Sequence, residues 1–183
     1  FGGTSFRLKL HGLEDRVREV NATAAQNARA AADEVDRRVL VAGSMGPTGE
    51  LVAPLGRPTP TEVEDGYAVQ AEGLAEGGVD ILWFETLSAL EVLEAGVMGA
   101  RKATDLPIVA TMSYDTAGRT MMGVSGTAQG EMIAALDLDA AGANCGATLP
   151  ETEAAVSLIR QACGDIPVVS KANAGIPVWQ GVK

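Results

Sequence analysis

The chain has 183 residues, enough for one domain with a sizeable core. Its 14 Lys and Arg stand against 24 Asp and Glu, a net charge of -10 that disfavours nucleic acid and anionic membranes as partners. No apolar run reaches membrane-spanning length and no secretory leader is visible, although the start at Phe1 rather than Met suggests a piece of a longer protein. Two cysteines, Cys145 and Cys163, are too few for a disulfide scaffold and fit a reducing, cytoplasmic setting.

Residues 1–12 carry Gly2, Gly3 and Gly12 and read as a loop. Residues 13–35 form the clearest helix: Val17, Val20, Ala24, Ala31 and Val35 recur at helical spacing, with charges on the other face. Asn21-Ala22-Thr23 matches the glycosylation pattern but falls inside that helix, so it reads as accidental. The single histidine, His11, has no second His or Cys nearby and reads as a polar loop residue.

A short β-branched run at 39–42 leads into the glycine-rich loop 43–49, which suits close backbone approach to a ligand or an anion. No Gly-Lys-Ser/Thr follows, so it is not a Walker loop. Thr59 or Thr61 caps the next helix, which runs to about Glu76 and stops at Gly77 and Gly78. Residues 79–84 are nearly all apolar, the pattern of a strand covered on both faces, and end in Glu85 and Thr86. A helix at 89–102, a strand at 108–112 and a polar loop with Asp115, Gly118 and Arg119 come next. A helix at 127–136 precedes an apolar strand at 136–143, which delivers Asn144 and Cys145. The last units are a helix at 150–161 and a strand at 166–170, followed by Lys171 and Asn173.

Strict alternation of helix and strand implies right-handed crossovers and a parallel sheet. Strands recur every ~30 residues, one βα unit each. A complete (β/α)8 barrel takes ~250 residues, so five or six of its eight units fit here, in one partial domain over residues 1–183. The competing open doubly wound sheet lacks its Gly-x-Gly-x-x-Gly fingerprint.

Parallel strands share one carboxyl rim, which would carry the 43–49 loop, Glu85 with Thr86, Ser113 with Asp115, Asn144 with Cys145, and Lys171 with Asn173. A carboxylate closing an apolar strand needs a partner, either a substrate ammonium or an arginine or backbone amides. Cys145 is open to three readings: buried hydrophobe, nucleophile or metal ligand. Nucleophilic use needs a histidine base, and only His11 exists. Metal binding needs further ligands. Cys163, at a helix end before a strand, reads as structural. Lys171 at a strand end raises the alternative of an aldolase-like barrel using a Schiff base.

The stretches Phe1-Gly2-Gly3-Thr4, Gly43-Ser44-Met45-Gly46-Pro47-Thr48-Gly49 and Trp83-Phe84-Glu85-Thr86 carry a further signal. So do Thr111-Met112-Ser113-Tyr114-Asp115, Gly118-Arg119-Thr120-Met121-Met122-Gly123, Gly142-Ala143-Asn144-Cys145-Gly146 and Asn173-Ala174-Gly175-Ile176-Pro177. In this order the set resembles the homocysteine S-methyltransferase family, which includes the homocysteine domain of cobalamin-dependent methionine synthase and betaine–homocysteine methyltransferase. The resemblance implies a (β/α)8 barrel covered from the end of strand 2 to about strand 7. It implies Cys145 as one of three thiolates on a catalytic zinc, the other two being an adjacent cysteine pair in a Gly-Gly-Cys-Cys-Gly motif that this chain does not contain.

On that resemblance the reaction is methyl transfer to the thiol of homocysteine, forming methionine. Zinc would hold the thiol as a thiolate that attacks a methyl group. Glu85 matches the carboxylate that binds the substrate ammonium, with Thr86, Asn144 and Ser44 around it. Ser44 stands where methionine synthases often carry Asp. The donor is left open among methylcobalamin on a partner protein, glycine betaine and S-methylmethionine. The alternative from another class is a truncated barrel without catalysis, since two of the three zinc ligands are missing from these residues.

Overall fold

The computed structural model describes residues 1–175 and Gly181. A short helix α1 (Ser5–Leu8) and a 3-10 turn, Lys9–His11, replace the expected opening loop, and a second 3-10 turn, Glu14–Arg16, stands where the helix at 13–35 was expected to begin. The helix α2 (Val17–Asp33) follows; His11 is exposed, and among the described residues it joins no group of three potential metal ligands. Then strands and helices alternate: β1 (Ala42–Met45), α3 (Pro60–Glu76), β2 (Ile81–Leu87), α4 (Leu90–Ala103), β3 (Ile108–Met112), α5 (Gly126–Ala135), β4 (Ala140–Cys145), α6 (Leu149–Ala162) and β5 (Val168–Ala172).

Among the described residues the strands form one parallel sheet in the order β1-β2-β3-β4-β5. Each βα unit therefore adds its strand beside the previous one, and right-handed crossovers put successive helices on one face. A doubly wound sheet would reverse its strand order at a switch point, and no reversal occurs. This is the arrangement of barrel staves.

Helix starts follow from local chemistry. Thr59, not Thr61, caps α3: its hydroxyl accepts from the Glu62 amide while the Glu62 carboxylate accepts from the Thr59 amide. Ser125 and Thr148 cap α5 and α6 in the same sense. At the amino edge of the sheet, acids just before two strands take the amide of the neighbouring strand. Asp80 accepts from Val41 N at 2.7 Å, and Asp139 accepts from Ile108 N at 2.8 Å. The Val41 amide and Arg29 hold the Asp80 carboxyl below its usual range.

The core lies between the sheet and the helices, around Met45, Tyr67, Leu82, Phe84, Leu87, Leu93 and Met112, all fully buried. Phe84 meets Tyr67 edge-on with ring centroids 5.4 Å apart. Burying a ring of that size contributes about 1.5–3 kcal/mol. Gly99 lets α4 lie against α3, since a Cβ there would sit 2.1 Å from Glu64 O. Fully buried Gln129 of α5 donates to Gly142 O at 2.8 Å and accepts from Tyr114 OH at 2.5 Å, fixing β4 from behind. Cys163 is buried at the end of α6, as expected of a structural thiol. Asn21 is also buried, donating to Gly3 O and Val17 O, so its tripeptide presents no glycosylation acceptor.

Apart from β3, which lies where expected, strands sit later in the chain than their apolar runs. β1 is Ala42–Met45 rather than 39–42, and β2 is Ile81–Leu87 rather than 79–84. β4 and β5 are displaced likewise. Pairing continues past the apolar residues into the polar ones, so Ser44, Glu85, Cys145 and Lys171 are strand residues rather than loop residues. Among the described residues no helix is long and apolar enough to cross a membrane.

Candidate functional site

Side chains alternate across a strand, so the residues between core positions face away from the helices. On that face the sheet carries Ser44, Trp83, Glu85, Thr111 and Lys171, linked by contacts. Ser44 Oγ donates to Glu85 Oε1 at 2.5 Å, and Lys171 Nζ donates to Glu85 Oε2 at 3.1 Å. The Lys171 ammonium also lies 5.9 Å from the centre of the Trp83 ring, and Trp83 Nε1 donates to Thr111 Oγ1 at 3.2 Å. Glu85 is thus satisfied on both oxygens by residues from β1 and β5.

The Glu85 side chain is 17% exposed and that of Lys171 is 62% exposed. Burial alone would push the Glu85 carboxyl up. The Ser44 hydroxyl and the Lys171 ammonium outweigh it and hold the group below its usual value. The site therefore contains a fixed, ionised carboxylate whose cationic partner reaches in from solvent. The sequence suggested an arginine or helix amides as the protein's own partner; the structure supplies a lysine 86 residues away.

The second half of the site begins with an irregularity. β2 and β3 stay in register through Phe84 and Ala110, then resume at Leu87 and Met112, so β2 has one extra residue at Glu85-Thr86. Thr86 adopts φ 62, a left-handed conformation that costs a β-branched residue about 1–2 kcal/mol. Asn144, buried on β4, compensates it. Its Oδ1 accepts from Thr86 N at 2.9 Å, and its Nδ2 donates to Thr86 Oγ1 at 2.8 Å.

Asn144 Nδ2 also lies 3.1 Å from Cys145 Sγ, as a donor to the sulfur. Cys145 is half-buried and takes φ 58. Asn173, just past β5, braces it: its backbone amide donates to Cys145 O at 3.3 Å and its side chain donates to Gly146 O at 3.2 Å. A cavity of about 220 Å³ opens beside Cys145, lined by Gly146, Thr148 and Asn173 among others. A second, of about 350 Å³, lies at the same rim between the 47–52 segment, Thr86, Ser113, Asp115 and Met122. The glycine-rich stretch is divided: Gly43 and Ser44 belong to β1, while the Gly46 amide is taken by Phe1 O and Gly46 O accepts from Tyr67 OH. Ile176 and Pro177 of the last matching stretch lie outside the described residues.

The donor set bears on a metal. Catalytic zinc takes three protein ligands. Among the described residues Cys145 is the thiol at the rim, Cys163 lies at the end of α6 hydrogen-bonded toward Arg160 O and Ile166 O, and no three His, Cys, Asp or Glu side chains converge. These residues by themselves do not build a zinc centre. Lys171, in turn, has the surroundings of a charge partner: it is exposed and bound to a carboxylate, whereas a Schiff-base amine is desolvated or set beside another cation.

Comparison with known proteins bears on the fold and the family. The methionine synthase of Mycobacterium tuberculosis is 33% identical over 187 residues, an alignment covering 97% of this chain and 15% of that protein. The methionine synthase of Mycobacterium leprae is 32% identical, with the same coverage. The chain therefore spans about 15% of the length of these relatives. Among solved structures, the metallated form of the homocysteine methyltransferase MmuM from Escherichia coli superposes with a TM-score of 0.79 at 22% identity, over 96% of this chain and 65% of that one. Its apo form gives 0.73 at 21% identity, over 88% and 62%. The α/β fold is thus part of a barrel of that kind. Residues 1–183 match the family described as homocysteine S-methyltransferase, and the chain belongs to that family.

Proposed function

We propose that this chain is the homocysteine-binding part of a zinc-dependent methyltransferase that forms methionine. The observation carrying this reading is the rim itself: an ionised carboxylate, Glu85, and a braced thiol, Cys145, stand at the carboxyl ends of strands in one sheet. Glu85 holds the substrate ammonium, oriented by Ser44. Asn144 and Thr86 shape the wall between that carboxylate and the sulfur. Cys145 is the one zinc ligand supplied by the described residues, and the remaining donors come from elsewhere in the whole protein. Family membership and two methionine synthase relatives support the reaction class. The metallated MmuM structure supports only the fold. The methyl donor is methylcobalamin on a partner protein, glycine betaine or S-methylmethionine.

The test is methionine formation by the full-length, zinc-loaded protein, given homocysteine and each donor class separately. The reading predicts methionine with one donor class and none without homocysteine. No methionine with any of the three would overturn it.

A further inference from the structure

We infer that Lys171 is a placeholder for substrate at Glu85 and becomes the binding group for the substrate's α-carboxylate; this rests on the homocysteine reading above. The two members of the pair are unequal. Glu85 is 17% exposed and has its other oxygen held by Ser44 at 2.5 Å, so it is fixed. Lys171 is 62% exposed, touches Glu85 through its terminal nitrogen at 3.1 Å, and rests 5.9 Å from the Trp83 ring centre. Its flexible stem lets the ammonium leave Glu85 while the carboxylate stays.

A half-buried carboxylate without a cation is costly, and Lys171 meets that need at Glu85. A ligand ammonium that takes Glu85 Oε2 replaces the lysine charge for charge. In an α-amino acid the ammonium and carboxylate share one carbon. A cation displaced from Glu85 is therefore left beside the incoming carboxylate, and a new ion pair replaces the one broken. An aminothiol without the carboxylate must displace Lys171 and returns nothing to it. The pair thus selects α-amino acids over simple amines, a discrimination that Glu85 alone does not provide.

The experiment measures binding by calorimetry, and KM, in the full-length zinc-loaded protein, for homocysteine and for 3-aminopropane-1-thiol, which keeps the thiol and amine but lacks the carboxylate. The wild type should prefer homocysteine on the order of 10- to 100-fold, the worth of one charge-assisted contact. Lys171→Met should erase most of that preference by weakening homocysteine, while the aminothiol binds as well or better because nothing competes for Glu85. Lys171→Arg should keep the preference. Equal weakening of both thiols in Lys171→Met, or an unchanged preference, would overturn the role of Lys171. A wild type that binds neither thiol would instead overturn the homocysteine reading, and this inference with it.

Discussion

Asn144 holds Thr86 at two points, accepting from its amide at 2.9 Å and donating to its hydroxyl at 2.8 Å, from two strands away. Thr86 is bound in a conformation it would not adopt alone, and the same carboxamide touches the Cys145 sulfur at 3.1 Å. One buried side chain therefore sets the distance between the β2 and β4 ends of the site.

Asn144→Ala should release Thr86 and leave its amide without that partner. Loss of two hydrogen bonds to a buried group predicts destabilisation on the order of 2–4 kcal/mol, read from urea unfolding. The sulfur also loses its orienting donor, so zinc affinity of the full-length protein should fall about 10- to 100-fold. Unchanged stability would show that Thr86 keeps its geometry without Asn144.

Glu85 makes stability depend on acid. Burial raises its pKa, and Ser44 and Lys171 lower it further than that, so the folded carboxyl titrates below its unfolded value. Its contribution is complete above the unfolded pKa, about 4.3. It is lost as pH falls through the lower folded value. The advantage of the wild type over Glu85→Gln in urea unfolding should be constant near neutrality and shrink below about pH 4. An advantage that grows on acidification would mean the folded pKa is raised instead.

Gly142 lets β5 approach β4 closely. A Cβ there would lie 2.1 Å from Val169 O, which is backbone and has little freedom to give. Gly142→Ala should cost about 1–3 kcal/mol or more by overpacking, seen as a fall in Tm. It should also weaken homocysteine binding, because β5 carries Lys171 and leads directly into Asn173. A neutral substitution would place the β4–β5 contact outside the constraints on the site.

Much of this was legible in the chain. The alternation of apolar runs and helical patterns dictated a parallel sheet, and the cap at Thr59, one of two candidates, and the strand at Ile108–Met112 lie where local chemistry puts them. The strand ends did not. Burial marks where side chains are apolar, whereas the strands run on through Glu85, Asn144 and Lys171, which are polar. The Lys171–Glu85 pair joins residues 86 apart, and the left-handed Thr86 and Cys145 leave no compositional trace, since neither is glycine.

We propose that Cys145, and not Cys163, binds zinc in the full-length protein. The most direct measurement is zinc content and methionine formation of the full-length protein as wild type, Cys145→Ser and Cys163→Ser. About one zinc per chain is expected in wild type and Cys163→Ser, with loss of zinc and turnover together in Cys145→Ser. Zinc and turnover retained in Cys145→Ser would contradict it.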